Sequence, residues 1–150
     1  EDMTYAELEN MLLSAGSDAL VATIKENQFP HLPQDESSAT LAPKVELEEC
    51  EIKWDRTAND IHNLIRGTNP EPGAWTNIKI KDENKRLKIF RSRVVYEQGA
   101  PGQILSFNKN GIVIACKENA IQILELQLEG KKRVEASAWV QGARLETLQF

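Results

Sequence analysis

The chain has 150 residues, 41% hydrophobic and 27% charged, with a formal net charge of −5; these values suit one soluble globular domain or a small domain with an extension. No apolar run approaches the about 20 residues that a membrane helix requires, and the first residues lack the pattern of a signal peptide, which excludes these two classes. Cys50 and Cys116 lie far apart without metal-ligand spacing, which favours reduced thiols and a cytoplasmic protein.

The charge is divided unevenly along the chain. Residues 1–43 contain one basic and eight acidic residues, a balance of −7, whereas residues 44–150 contain 17 basic and 15 acidic residues, a balance of +2. The larger part is therefore not acidic, and the overall negative charge does not argue against an anionic partner.

Residues 4–26 predict one amphipathic helix. Thr4 and Glu7 have the spacing of a capping box, in which each side chain accepts a hydrogen bond from the other residue's backbone N–H. A single amphipathic helix gains little from propensity alone, so its apolar face needs a packing partner. That face repeats every three or four positions and consists of Tyr5, Leu8, Leu12, Ala15, Ala19 and Leu20.

Residues 27–53 differ in composition from the helix before them. Pro30, Pro33 and Pro43 break both helix and strand, which predicts an extended linker. The acidic cluster at 48–51 is better explained by a solvated turn than by a metal site, because carboxylates alone are weak support for a metal.

A short second helix is predicted for residues 57–67, with Thr57 at its N-cap and Gly67 at its end. His62 lies outside the apolar stripe and is expected to be exposed. The stripe consists of Ile61, Leu64 and Ile65.

From residue 74 the apolar period changes to two, which predicts strands. Asn110-Gly111 is typical of the tight turn of a β-hairpin, and a short helix is predicted at about 136–142. Together these elements predict a mainly β fold, a small closed or partly open barrel with flanking helices. The five predicted strands cover 74–81, 86–96, 103–107, 112–117 and 120–128.

The stretch TNPEPGAWT at 68–76 is predicted to be a turn that starts the first strand. Its prolines fix the backbone, Gly73 permits a sharp bend, and Trp75 is expected to enter the barrel. Trp54 and Trp139 also lie at element boundaries beside apolar residues, so core packing is expected for all three rings in preference to stacking on bases.

The sequence contains no Gly-rich phosphate loop, no His/Cys metal cluster and no Ser-His-Asp set. His31 lies between prolines, and His62 stands on a helix without a sequence-adjacent partner. The chain by itself is therefore expected to be inactive.

Basic residues concentrate in two clusters, which favours binding of backbone phosphates through release of counterions. The alternative for the first cluster is that its members are the solvent-facing positions of a barrel. For the second cluster a partner is favoured, because three adjacent cations repel one another. The first cluster surrounds the first predicted hairpin and comprises Lys79, Lys81, Lys85, Arg86, Lys88, Arg91 and Arg93; the second comprises Lys131, Lys132 and Arg133.

Four stretches of the chain together span nearly its whole length. They are MTYAEL at 3–8 with Leu12, Gly16 and Leu20; PQDES at 33–37 through ATLAPK at 39–44; NPEPGAWT at 69–76, preceded by Ile65 and Arg66; and LELQ at 124–127 with EGKKR at 129–133. In this order they resemble methionyl-tRNA formyltransferases. Each stretch alone is weak, but four in the family's order are specific.

The resemblance implies three parts: residues 1–27 as the last helix of a catalytic domain, residues 28–45 as a linker, and residues 46–150 as an OB-like (Greek-key) β-barrel that binds tRNA. It implies that the whole enzyme transfers a formyl group from 10-formyltetrahydrofolate to methionyl-initiator tRNA during translation initiation in the cytoplasm. The family's catalytic Asn, His and Asp lie upstream, so no catalytic residue and no cofactor are expected in this chain. The implied partners are the initiator tRNA and the protein's own N-terminal catalytic domain, in a monomeric protein without membrane contact.

The resemblance also assigns tRNA contacts to Lys44 in the linker and to the basic turn at 131–133. Two departures from the family pattern stand out: Glu71 replaces a residue that is often aromatic, and Val134-Glu135 replace a usual Met-Ser pair, which removes the hydroxyl cap of the last helix. The complete predicted tRNA-binding set is Lys44, Lys79, Lys81, Lys85, Arg86, Lys88, Arg91, Arg93, Lys131, Lys132 and Arg133.

Two alternatives stay open. The barrel could be purely structural and orient the catalytic domain of a nucleotide-sugar formyltransferase or a formyltetrahydrofolate dehydrogenase, without binding tRNA. These families share the Pro-Gly-x-Trp region but match the Gly-Lys-Lys-Arg turn less well. In the other alternative, residues 4–26 drive dimerisation of the chain once their packing partner is missing.

Overall fold

The structure is a computed structural model that describes residues 2–27, 29–80 and 83–142 and the backbone of residues 148–149. Its helices are α1 (Tyr5–Glu26), α2 (Ala58–Gly67) and α3 (Ala136–Gly142). Its strands are β1 (Ala74–Ile80), β2 (Glu83–Val95), β3 (Ile104–Asn108), β4 (Gly111–Ala115), β5 (Ala120–Leu128), β6 (Val134–Glu135) and β7 (Leu148–Gln149). Two 3-10 turns occupy Glu36–Ser38 and Leu47–Cys50.

The strands form one antiparallel sheet in the order β3-β4-β5-β2-β1-β7, and β6 pairs with β5. Strands β3, β4 and β5 form a meander, and β2 lies beside β5, which is a Greek-key arrangement. Within the described ranges β3 and β7 are the edges of the sheet and do not pair with each other. The predicted mainly β, barrel-like fold with flanking helices is confirmed, in its partly open form.

The five predicted strands correspond to β1–β5, and the predicted last helix corresponds to α3. Two-residue strands such as β6 and β7 carry no periodicity, so the sequence did not predict them. Residues 81 and 82, which include the end of the first predicted strand, lie outside the described residues.

The core lies between α2 and the inner face of the sheet. Leu87 and Ile89 of β2 and Ile121 of β5 are fully buried there, because alternate positions of each strand face inward. Ile61 and Ile65 of α2 cover them, which confirms two of the three residues of the predicted stripe as core. Cys50 and Cys116 are both buried and unpaired.

The predicted caps of both long helices are present. Thr4 accepts a hydrogen bond from the backbone N–H of Glu7 while the Glu7 carboxylate accepts one from Thr4, so the capping box starts α1 as expected. The hydroxyl of Thr57 accepts a hydrogen bond from the N–H of Asp60 at 3.2 Å and starts α2.

The expectation that His62 is exposed was wrong. Only 12% of its side chain is accessible, its Nδ1 lies 3.0 Å from the hydroxyl of Ser92, and its Nε2 lies 3.3 Å from a carboxylate oxygen of Asp2. The flank of α2 packs against β2, so a position outside the apolar stripe is also covered.

Trp75 is buried, at 9% exposure, but on the outer face of the sheet, which corrects the expectation that it enters the barrel. Its neighbour Ala74 faces the core, so Trp75 points the other way. There its indole N–H donates to the carbonyl of Leu47 at 2.8 Å. Trp54 and Trp139 are half-buried and pack against the core, as expected.

Helix α1 has no buried residue, and its apolar side chains are about half exposed, for example Leu8 at 46% and Leu12 at 61%. The linker region from residue 29 to 45 contains only the short turn Glu36–Ser38. None of the described helices is both long and apolar enough to cross a membrane.

Changing Gly111 to Ala should destabilise the fold. Gly111 follows Asn110 in the predicted hairpin turn and has a φ of +115°, and an added Cβ would lie 2.6 Å from the carbonyl oxygen of Ile123. We expect a loss of about 1–3 kcal/mol in the free energy of unfolding, measured in urea. Gly67→Ala is the control: nothing lies within 4 Å of its Cβ, and the helix should be unchanged or stabilised by about 1 kcal/mol. Equal stability of both variants would contradict the turn geometry.

Candidate nucleic-acid interface

The outer face of the sheet carries a basic surface because polar residues alternate with core residues along β1 and β2. Trp75 lies opposite Lys88, and Asn77 lies opposite Arg86, so these side chains share the outer face. Gln127 of β5 lies opposite Lys88 on its other side. The register therefore brings Arg86, Lys88 and, farther along β1, Lys79 onto one surface.

Two of these cations are held in place by neighbours. The guanidinium carbon of Arg86 lies 4.4 Å from the centroid of the Trp75 ring, a cation–π contact that orients an exposed charge. The Lys88 ammonium donates to the carbonyl of Pro72 at 2.8 Å. A hollow of about 280 Å³ lies beside them and is lined by Arg86, Lys88, Gln127, Leu128, Glu129 and Gly130.

The turn after β5 continues from Gly130, which lines this hollow, into Lys131 and Lys132. Both side chains are exposed, and within the described part of the chain neither makes an ion pair. The turn is closed by the N–H of Lys131 donating to Leu128 at 2.9 Å, and the amide of Gln127 donates to the carbonyl of Lys131, also at 2.9 Å. Gln127 thus links the turn to the outer face.

Arg133, the third cation of the turn, is folded back onto the sheet. Its Nε and Nη2 donate to the two carboxylate oxygens of Glu125 at 2.5 and 2.6 Å, a bidentate ion pair. Its guanidinium carbon lies 4.1 Å from the centroid of Phe90, and Nη1 lies 3.4 Å from Asn69 Oδ1. Arg133 therefore fixes the end of the basic turn.

Arg91 joins the sheet to α1. A register shift in β2 around this residue places it opposite Glu125, which lies 3.9 Å away, and it also forms an ion pair with Glu7 of α1. The Glu7 carboxylate accepts hydrogen bonds from the backbone N–H of Thr4 and from Arg91, which lowers the pKa of Glu7 to about 2. The same ion pair raises the pKa of Arg91.

The other predicted cations are dispersed. Lys79 is exposed on the outer face of β1, whereas Lys85 lies opposite Ile78, on the other side of the sheet, and pairs with Glu83 at 2.8 Å. Arg93 is exposed beyond the register shift, and Lys44 is exposed in the linker. Lys81 lies outside the described residues.

The structure therefore places Arg86 and Lys88 at the hollow and Lys131 and Lys132 in the adjoining turn. We call these four residues the exposed cation group, of which Lys88 is half-buried. The sequence did not indicate that Trp75 and Gln127 support this group. Alternation along β1 was the available signal, because Trp75 has the same parity as the polar Asn77 and Lys79.

Comparison with known proteins agrees with the fold and with the resemblance. The family model for the formyl transferase C-terminal domain matches residues 44–144. The chain belongs to this family.

Curated relatives named methionyl-tRNA formyltransferase confirm the more specific resemblance. The protein from Protochlamydia amoebophila is 42% identical, with 99% of this chain and 48% of the relative covered. The protein from Chelativorans sp. is 37% identical, with 96% and 46% covered. The chain thus spans about half the length of the curated relatives it matches.

Among solved structures, HypX from Aquifex aeolicus in complex with tetrahydrofolic acid matches 81% of this chain and 21% of that chain, with a TM-score of 0.61 and 21% identity. A multiply substituted variant of HypX matches 95% of this chain and 26% of that chain, with a TM-score of 0.66 and 20% identity. At this identity the likeness supports the fold alone.

Replacing Arg133 should cost more stability than replacing its neighbour Lys132. Arg133→Ala removes a partly exposed bidentate pair and a cation–π contact, for which we expect a loss of about 1–2 kcal/mol. Arg133→Lys should restore only part of this, because lysine cannot bind Glu125 bidentately. Lys132→Ala, the control, should stay within about 0.5 kcal/mol in urea unfolding. Similar losses at both positions would show that the contacts of Arg133 with Glu125 and Phe90 do not stabilise the fold.

The attachment of α1 should weaken in acid. The pKa of Glu7 lies near 2 in the folded chain against an ordinary value of 4.5, so the stability it contributes is present above 4.5 and is lost as the pH falls through 2. NMR titration of the Glu7 carboxyl group should show this midpoint. In Arg91→Gln the midpoint should rise but stay below 4.5, because the N–H of Thr4 still donates. An unchanged midpoint would show that Arg91 does not bind Glu7 in solution.

Proposed function

We propose that this chain is the C-terminal, tRNA-binding part of a methionyl-tRNA formyltransferase, and that the exposed cation group binds phosphates of the tRNA. The observation that carries this is the placement of Arg86 and Lys88 at one hollow on the outer face, with the exposed Lys131 and Lys132 in the adjoining turn, in a chain whose curated relatives bear that name.

The geometry suits phosphate binding. Arg86 and Lys88 are two positions apart on one strand, about 7 Å along it, so they present a regular row of charge. Lys131 and Lys132 extend the row from the adjacent turn. Such contacts release counterions and set the register and orientation of a nucleic acid without reading its sequence. Lys44 in the linker and Lys79 at the end of β1 would add charge at the margins.

The remaining parts of the proposal, the division of the chain and the activity of the whole protein, rest on the family resemblance. We propose that residues 1–27 belong to the catalytic domain, residues 28–45 form the linker, and residues 46–150 form the OB-like barrel. The exposed apolar side of α1 would pack against the catalytic domain. This contact would explain why side chains such as Leu12, at 61% exposure, are not covered within this chain. The whole protein would be a cytoplasmic monomer that transfers the formyl group of 10-formyltetrahydrofolate to methionyl-initiator tRNA. This chain alone would bind tRNA without catalysing the transfer.

A structural role without tRNA is the second candidate, favoured by one observation. Arg91 and Arg133, both in the predicted tRNA-binding set, are used within the chain: Arg91 holds α1 through Glu7, and Arg133 holds the basic turn through Glu125. A barrel that only orients the catalytic domain would need these contacts and would not need Lys131 or Lys132.

Binding of tRNA separates the two candidates. The variant Lys131→Ala/Lys132→Ala should weaken tRNA binding and reduce the slope of log affinity against log salt by roughly 1 to 2, about one for each lost phosphate contact. The matched control is Lys117→Ala, because Lys117 is exposed at the opposite end of β5. Gel-shift titrations at several salt concentrations provide both quantities.

The proposal fails if the unaltered chain binds tRNA no better than a neutral polymer, or if its affinity does not depend on salt. It fails equally if Lys117→Ala weakens binding as much as the double substitution does. In either case the structural candidate is retained.

A further inference from the structure

A groove between α3 and the turn after β5 shares Lys131, Lys132 and Leu128 with the site described above, but its other lining residues have no part in that site. Its volume is about 460 Å³, its floor is apolar, and two lysines stand at its rim. The floor is lined by Leu128, Val134, Ala138 and Trp139, the rim by Lys131 and Lys132, and one end by Gly142.

The Trp139 ring is held firmly in this floor. Phe107 of β3 meets it edge-on, with ring centroids 6.2 Å apart and planes inclined by 71°. The ring is half-buried and packs against the hydrophobic core, while part of it lines the groove. A rigid aromatic surface of this kind can stack on a flat ligand without losing side-chain entropy.

The chemistry of the groove selects its occupant. A bare phosphate would gain nothing from four apolar residues, and an apolar peptide would leave two ammonium groups without partners. A ligand that combines a flat, largely apolar ring with negative charge satisfies both features. In a chain that binds RNA, the ligand with this chemistry is a nucleotide whose base is not paired.

We propose that the groove binds one unpaired nucleotide of the RNA, with its base against Trp139 and its adjoining phosphates at Lys131 and Lys132. The inference rests on the proposed function and deepens it. Lys131 stands between the groove and the outer face, where Gln127 holds its carbonyl. The chain would therefore recognise an unpaired nucleotide next to a stretch of backbone bound by Arg86 and Lys88.

Tryptophan fluorescence tests the base contact directly. The probe is hexaadenylate, and inorganic polyphosphate of similar charge supplies the charge without a base. Hexaadenylate should quench the emission and polyphosphate should not. The quenching should disappear in Trp139→Phe, which keeps an aromatic ring against Phe107, and persist in Trp54→Phe, a matched control at another half-buried tryptophan. Quenching that survives in Trp139→Phe would overturn the proposal.

Affinity gives a second readout. Trp139→Leu should weaken hexaadenylate binding by about 5- to 150-fold, the usual loss for one stacked base, and leave polyphosphate binding unchanged. Thermal unfolding of each variant verifies that it is folded before binding is measured. Equal affinity of Trp139→Leu and the unaltered chain for hexaadenylate would overturn the proposal.

The outcomes also separate this inference from the function on which it rests. If Lys131→Ala/Lys132→Ala weakens tRNA binding while the Trp139 variants behave like the unaltered chain, the groove proposal is wrong and the phosphate-binding proposal stands. If the lysine substitutions change the affinity for neither tRNA nor polyphosphate, both are wrong.

Discussion

Glu125 is the point on which the arrangement of the outer face depends. This one carboxylate on β5 binds Arg133 bidentately and lies 3.9 Å from Arg91, so it neutralises two cations that arrive from different elements. Arg133 ends the basic turn, and Arg91 holds α1 through Glu7. Without Glu125, the guanidinium groups of Arg91 and Arg133 would lose the carboxylate that they share. Both the basic turn and the start of α1 would then be held less firmly.

This arrangement divides the predicted cations by their surroundings. Arg91 and Arg133 are satisfied inside the chain, while Lys131 and Lys132 remain open to solvent beside Arg86 and Lys88. In the sequence, Lys131, Lys132 and Arg133 form one cluster. In the structure, Arg133 points back to the sheet because it binds Glu125 and Phe90 there. Sequence alone could not make this distinction, because the deciding partners are 8 and 43 positions away.

What could be predicted was local. The capping box at Thr4, the helix from Thr57, the five strands β1–β5 and the Asn110-Gly111 turn depend on residues a few positions apart, and the structure contains all of them. The features that the sequence did not indicate depend on distant pairings. His62 is covered by β2, thirty positions further along, and Arg91 reaches Glu7 across 84 positions. The side of the sheet on which Trp75 lies is partly predictable. Alternation along β1 determines that side, but only once it is known which side of the sheet faces the core.

Under the proposed function, this chain positions the tRNA while another domain carries out the reaction, and the contacts of α1 connect the two. At the start of α1, Glu7 binds Arg91, Asp2 contacts His62, and the carbonyl of Met3 accepts a hydrogen bond from Arg66. These contacts fix the start of α1 to β2 and α2, although the apolar side of the helix faces solvent. Under the proposed function, a catalytic domain packed on that side would be held at a set distance from the exposed cation group. Phosphate contacts that carry no sequence information would then still matter for catalysis, because they would determine where the end of a bound tRNA lies relative to the active site.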